Sequence, residues 1–227
     1  MNSIAYPDRR TLLSAAAMIP LLALTACAGS LGSFSPEEGV RRLLTLSSQR
    51  AFARLLQPGG FYDDQLTRIA PPAQLAGGSS GVLGAVLRTN AVRSRVAIAL
   101  NDVAVDAADR ATPVVTDAIA RMSVADALAL VRGGPTAATD LLQREAGPAV
   151  IDALLPGISQ GLTSDVAEIL AAVAATRSGV DYIGIARLVA DQASASIFRA
   201  IGREEAEIRA NPRATGDPVL IALLGVR

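Results

Sequence analysis

The residues whose types and spacing suit chemistry best are Glu204, Glu205 and Glu207, flanked by Arg203 and Arg209. A carboxylate-based hydrolase needs one carboxyl kept protonated by burial as the general acid, with a second carboxylate or a polarised water beside it. On a helix, Glu205 shares a face with Phe198, Ile201 and Ile208, which draws it towards the interior. Glu205 and Arg209 also stand four residues apart, a favourable pair contributing about 0.2–0.5 kcal/mol. The plainer reading is a charge-paired helix end, terminated by Asn211-Pro212. Glu204, Glu205 and Arg209 are therefore candidate interaction residues, and no residue is assigned a catalytic role.

A second set, Tyr62, Asp63 and Asp64 with Arg68, offers oxygen ligands for a cation. It lacks the central Gly and the distal Glu of a calcium loop, so a solvated turn accounts for it more simply. Gly77 to Gly81 has the glycines that let backbone N–H groups face an anion, but no Gly-Lys-Ser or Gly-Lys-Thr follows, and it reads as a connector.

Composition removes most other chemistry. The chain has 21 Arg, no Lys, no His and a single Cys. Ser-His and Cys-His nucleophiles are thereby excluded, as are disulfides and His or Cys metal sites, and no metal or cofactor is expected. The 21 Arg balance 21 Asp plus Glu, so no polyanion attraction arises, and 3 % aromatic residues with no Trp leave little to stack bases on; no nucleic-acid partner is expected.

The single Cys27 closes the run Leu24-Thr25-Ala26-Cys27 after an apolar stretch from Leu12 to Leu24, with Arg9 and Arg10 in front. That stretch is 13 residues long and holds Pro20, whereas a spanning helix needs about 20 apolar residues. The pattern is that of a cleaved secretory signal, and Leu-Thr-Ala-Cys resembles the lipobox of bacterial lipoproteins, in which the cysteine carries lipid. The expectation is a signal over residues 1–26, a lipidated flexible tether over 27–34, and one helical domain over 35–227. Asp8-Arg9-Arg10-Thr11-Leu12-Leu13 also resembles a twin-arginine signal, leaving the export route open. Ala28, the next residue, is not Asp, which by resemblance to the lipoproteins of enteric bacteria implies the outer membrane, on its periplasmic side.

The elements that must position the acidic set are helices. Ser35-Pro36-Glu37-Glu38 has the form of a capping box and opens a helix to about Gln57, closed by Pro58-Gly59-Gly60. Phe61 to Pro72 has no period and reads as a loop. Helical spacing runs from Val82 to about Ala111, as one helix or two broken near Asn90. Thr112-Pro113 is expected to open another, with Val114, Val115, Ala118, Ile119 and Met122 inward. Ser123 is expected to cap a short one in which Leu128 and Val131 pack before Gly133-Gly134. Further helices are expected from Pro135 or Thr136 to Gly147-Pro148, Ala149 to Gly161, Ser164 to Arg177 and Asp181 to Ala210. No sustained alternation of strand type occurs, so the fold class is all-α, a multi-helix bundle of short and medium helices with Ala-rich, closely approaching faces.

Several of these stretches together carry a resemblance: Gly60-Phe61 with Ile69 to Pro72, Asp117 to Met122, Ser123 to Ala127 with Gly133-Gly134, Ala137-Ala138-Thr139, Ile197-Phe198, and Glu204 to Pro212. In that order they resemble the bacterial DUF4197 family, which implies an exported helical domain and supplies no active site. This chain reads Asn101-Asp102-Val103-Ala104-Val105 where the family tends to have Asn-Arg-Ala-Ala-Glu, and Leu224 where Phe usually precedes the final Gly.

The functional expectation is a lipid-anchored envelope protein, not an enzyme, that contacts the membrane through Cys27 and binds an envelope protein. Two alternatives stand beside it. The glutamate cluster suggests a carboxylate-dependent hydrolase of cell-wall material, and the 51 % hydrophobic composition with small inner faces suggests an apolar-ligand carrier.

Overall fold

A computed structural model describes residues 35–72, 89–164 and 181–225. They form six α-helices and one 3-10 turn, and no strand occurs among the described residues. The helices are α1 (Pro36–Leu55), α2 (Asn90–Arg121), α3 (Ala127–Arg132), α4 (Ala137–Ser164), α5 (Tyr182–Ala210) and α6 (Pro218–Leu224), with the 3-10 turn Pro212–Thr215 between the last two. This is the all-α bundle that the periodicity implied.

Local signals start the helices that the sequence marks most clearly. Ser35 accepts the Glu38 N–H at 3.1 Å at the head of α1, with Pro36 in its first turn. The Glu38 side chain leaves the capping box and pairs with Arg42 instead. Asp181 caps α5 by accepting the Gly184 N–H at 2.8 Å, and Asp217 caps α6 through Val219 and Leu220.

Helix α4 packs against both α2 and α5, while α1 lies across α5 and α2. Val40, Leu44, Leu100, Leu142, Leu154, Ile158, Ile197 and Ile201 fill the shared interior. Small residues set the α2–α4 distance. Ala104, Ala107, Ala108 and Ala111 of α2 are fully buried. Gly157 and Gly161 of α4 sit against Ala107 and Val103, and a Cβ added at Gly161 would lie 2.5 Å from a Val103 methyl. Close packing of this kind leaves no room for even one methyl group.

Three expected helix boundaries do not exist. Thr112-Pro113 does not open a helix, because α2 runs through it, and Gly147-Pro148 and Gly161 do not end helices, because α4 continues through Pro148 and Pro156 to Ser164. A proline inside a helix deletes one N–H···O=C bond and costs about 3 kcal/mol. All three prolines are exposed, so water can reach the carbonyls they release, while Ala111, Val115, Val150, Leu154 and Ile158 keep the opposite face in the core. Burial along one unbroken face outweighs the missing bonds.

Two smaller expectations also differ. Asp126, not Ser123, caps α3 by accepting the Ala129 N–H at 3.2 Å. Leu128 is 52 % exposed instead of packed; Val131 alone of that pair rests against the core.

The segment from Phe61 to Pro72 forms turns and irregular chain with no α-helix, yet it is firmly held. Phe61 and Ile69 are fully buried. Asn101 of α2 accepts the Ile69 N–H at 2.8 Å and donates to the Ile69 carbonyl at 2.9 Å, so one side-chain amide imitates a strand partner. Gln192 of α5 accepts the next amide, that of Ala70, at 3.1 Å. The expected signal, Cys27 and its tether, the Gly77–Gly81 connector, the Val82 helix start and, beyond Ser164, the separate helix expected from Ser164 to Arg177 lie outside the described residues.

Candidate functional site

The acidic end of α5 is the densest polar site, and it lies inside the protein. Glu204 and Glu205 have no exposed surface and Arg209 is 5 % exposed. The three candidate interaction residues therefore face neighbouring helices and offer no surface to a partner.

Glu205 points at the start of α4. Its Oε1 accepts the Ala138 N–H at 3.1 Å, and its Oε2 accepts the Thr139 N–H at 2.7 Å and the Thr139 hydroxyl at 2.5 Å. These amides belong to the first turn of a helix, where N–H groups lack intrahelical acceptors and the dipole favours an anion. Thr136, just before that turn, spends its hydroxyl on Asp140 instead. Glu205 thus supplies, from α5, the cap that α4 does not make for itself.

Arg209 completes the arrangement at the opposite kind of helix end. Its Nε donates to Glu205 Oε1 at 2.8 Å, while Nη1 and Nη2 donate to the Val131 and Leu130 carbonyls, each at 2.9 Å. Those carbonyls are in the last turn of α3, the negative end. A carboxylate and a guanidinium four residues apart on α5 therefore fasten the end of α3 and the beginning of α4 to one another. Only a planar, five-donor fork can serve a carboxylate and two carbonyls together. Arg41 does the same for α2, donating to Ile119 O at 2.6 Å, Ala120 O at 2.8 Å and Met122 O at 2.9 Å.

Glu204 turns the other way, towards α1. Arg54 Nη1 lies 2.7 Å from its Oε1, but the contact is not aligned as a hydrogen bond, and both carboxylate oxygens lack a hydrogen-bond partner. Burial pushes the Glu204 carboxyl above the usual glutamate range; Arg54 opposes the rise, Glu207 adds to it, and Arg203 and Arg50 also oppose it.

The Tyr62–Arg68 set does not converge on a cation position. Asp64 pairs with Arg203 and accepts the Leu66 N–H at 2.9 Å, and these contacts, Arg203 foremost, hold its carboxyl below the usual range despite some burial. Arg68 stacks over the Tyr62 ring, 4.5 Å from its centroid, and donates to the Tyr62 carbonyl. Among the described residues no three His, Cys, Asp or Glu side chains gather as a metal would require.

Clefts among the described residues that open to solvent include two beside these helices. One, of about 380 Å³, lies between the first turns of α4 and the middle of α5. Phe198, Gly202 and Ala206 line its apolar part, and Asp140, Gln143 and Arg199 its polar part. Arg199 is fixed there by donating to the Leu66 carbonyl and the Ser196 hydroxyl, both at 2.8 Å. The other, of about 480 Å³, lies between α1 and the end of α2, beside the Glu38–Arg42–Asp217 ion pairs. Neither Glu204 nor Glu205 lines either cleft.

The Glu205–Arg209 pair is visible in its i,i+4 spacing, whereas the roles of Thr139, Asn101 and Arg41 are not, because their partners lie far along the chain. A signal did exist for Glu205: the apolar company of Phe198, Ile201 and Ile208 on its helix face.

These features define an all-α bundle whose interior charges close helix ends. The chain belongs to the DUF4197 family, described as "Protein of unknown function (DUF4197)", whose model matches residues 30–225. No curated protein and no solved structure matched the chain significantly.

Proposed function

We propose that this chain is a lipid-anchored protein of the bacterial envelope whose helical domain works by binding, with the cleft between α4 and α5 as the binding surface. The observation that carries the binding reading is the division of labour on α5. Glu205 is saturated by Ala138, Thr139 and Arg209 inside the fold, while the neighbouring Arg199, with Asp140 and Gln143 opposite, faces the cleft. A rigid two-helix wall with an apolar floor and a few placed polar groups suits recognition. The anchoring half rests on Leu24-Thr25-Ala26-Cys27 and on the shortness of the apolar run before it. Each acyl CH₂ buried in the bilayer contributes about 0.8 kcal/mol, so a multiply acylated Cys27 would hold the domain at the membrane.

The hydrolase reading finds less support, because Glu205 has no oxygen left for a substrate proton and neither glutamate lines a described cleft. The carrier reading finds less support because both described clefts are open instead of enclosed.

Two measurements test the proposal on the full chain in its native envelope. Labelled palmitate should enter the protein and fail to enter Cys27→Ser. A photo-crosslinking residue at position 143 should give a discrete adduct that the same residue at position 121, an exposed control on α2, does not give. Equal labelling of Cys27→Ser would remove the anchor, and identical crosslinking at the two positions would remove the cleft.

A further inference from the structure

The two adjacent glutamates of α5 differ in one respect that matters: Glu205 has a donor for every oxygen, and Glu204 has none. Glu204 is fully buried at the α1–α5 contact, and among the described residues the cation paired with it is Arg54, whose side chain is 55 % exposed. Arg54 is shared, its Nη2 lying 3.8 Å from Glu207 Oε2. The charged groups that face this position are Arg50 and Arg54 from α1 and Arg203 and Glu207 from α5 itself, with Arg203 already paired to Asp64 of the loop. A carboxylate out of contact with water and without hydrogen bonds is poorly solvated, and one partly hydrated guanidinium compensates only in part.

We infer that Glu204 is a proton-binding site of the α1–α5 interface, and that its protonation releases Arg54 from Glu204. A proton from solvent adds to a Glu204 oxygen, the carboxylate becomes a neutral acid, and the ion pair to Arg54 is lost. The neutral acid stays in the interior, while the guanidinium, already half in water, turns towards solvent with Glu207 as its remaining carboxylate on α5. The α1 face then presents Arg54 beside Arg50, one turn away, with one more uncompensated positive charge than before. The inference does not depend on the cleft reading above.

The test is a pH titration of the full chain by NMR, following the Glu204 carboxyl carbon, assigned by its disappearance in Glu204→Gln, together with the Arg54 Nε–H. The expected result is a Glu204 midpoint above the ordinary glutamate range, with the Arg54 signal moving at the same midpoint. Arg54→Gln, an exposed change that leaves the core intact, should shift the Glu204 midpoint further up by removing the opposing cation. A Glu204 midpoint within or below the ordinary range, an Arg54 signal that ignores it, or no upward shift in Arg54→Gln would each overturn the inference.

Discussion

Glu205 and Thr139, 66 residues apart, meet twice: the Thr139 amide and hydroxyl both donate to Glu205 Oε2, at 2.7 and 2.5 Å. With Arg209 on the other oxygen, this junction ties α3, α4 and α5 together. Removing one partner of a buried pair strands the other charge, which costs about 3–5 kcal/mol. Glu205→Ala should lose about that much, measured as a fall in the urea midpoint. The double variant Glu205→Leu/Arg209→Met should lose less than the two single changes added, because no charge remains unpaired. A loss of under about 1 kcal/mol in Glu205→Ala would show that the junction holds nothing together.

Asn101 gives a second prediction. Asn101→Leu orphans the Ile69 N–H and C=O in the interior, at about 1–3 kcal/mol for each group. Asn101→Asp keeps the acceptor for Ile69 N–H but turns the donor into an oxygen facing the Ile69 and Ala97 carbonyls. Its destabilisation should therefore shrink as the solution is acidified, and denaturation curves at two pH values decide the point.

Gly161 is replaceable only if its neighbour gives way. Gly161→Ala should cost about 1–3 kcal/mol, as overpacking does, because the new methyl meets both Val103 methyls, at 2.5 and 2.6 Å. Adding Val103→Ala should return part of that loss in thermal unfolding. If the double variant is less stable than Gly161→Ala alone, the α2–α4 distance is not set by this contact.

Stability should peak in weak acid. The Glu204 carboxyl is raised in the folded state, so the native protein binds its proton first, and stability grows as pH falls through that raised value. Asp64 and Asp217 behave oppositely. Arg203 lowers Asp64; burial works against the lowering of Asp217, but the Leu220 and Val219 amides and Arg42 prevail. Their contributions are complete above the ordinary aspartate value and fade as pH falls towards the lowered ones. Urea midpoints across pH should therefore rise and then fall on acidification, and Glu204→Gln should reduce the rising part, to which Asp102, raised by burial and by Asp106, also contributes, while leaving the fall unchanged.

The class of fold was legible because apolar spacing and caps such as Ser35 and Asp181 act within one turn of sequence. Pro113 and Pro148 misled because a proline's local cost is visible in sequence, whereas the buried stripe that overrides it depends on which helices pack alongside. The Glu205–Arg209 pair could be read from its spacing, and the inward lean of Glu205 from Phe198, Ile201 and Ile208; their duty at two foreign helix ends could not. Thr139, Asn101 and Arg41 gave no sign, since each acts on backbone groups 32 to 81 positions away or is acted on across 66.

The guanidinium of Arg209 also sets an order of assembly. It reaches carbonyls made 78 and 79 positions earlier, and α3, six residues long, is too short to persist alone in water. During synthesis the Leu130 and Val131 carbonyls and the first amides of α4 wait for the end of α5 to emerge. A nascent chain halted before residue 205 therefore has its middle helices unfastened, and the junction closes only once Arg209 has been added.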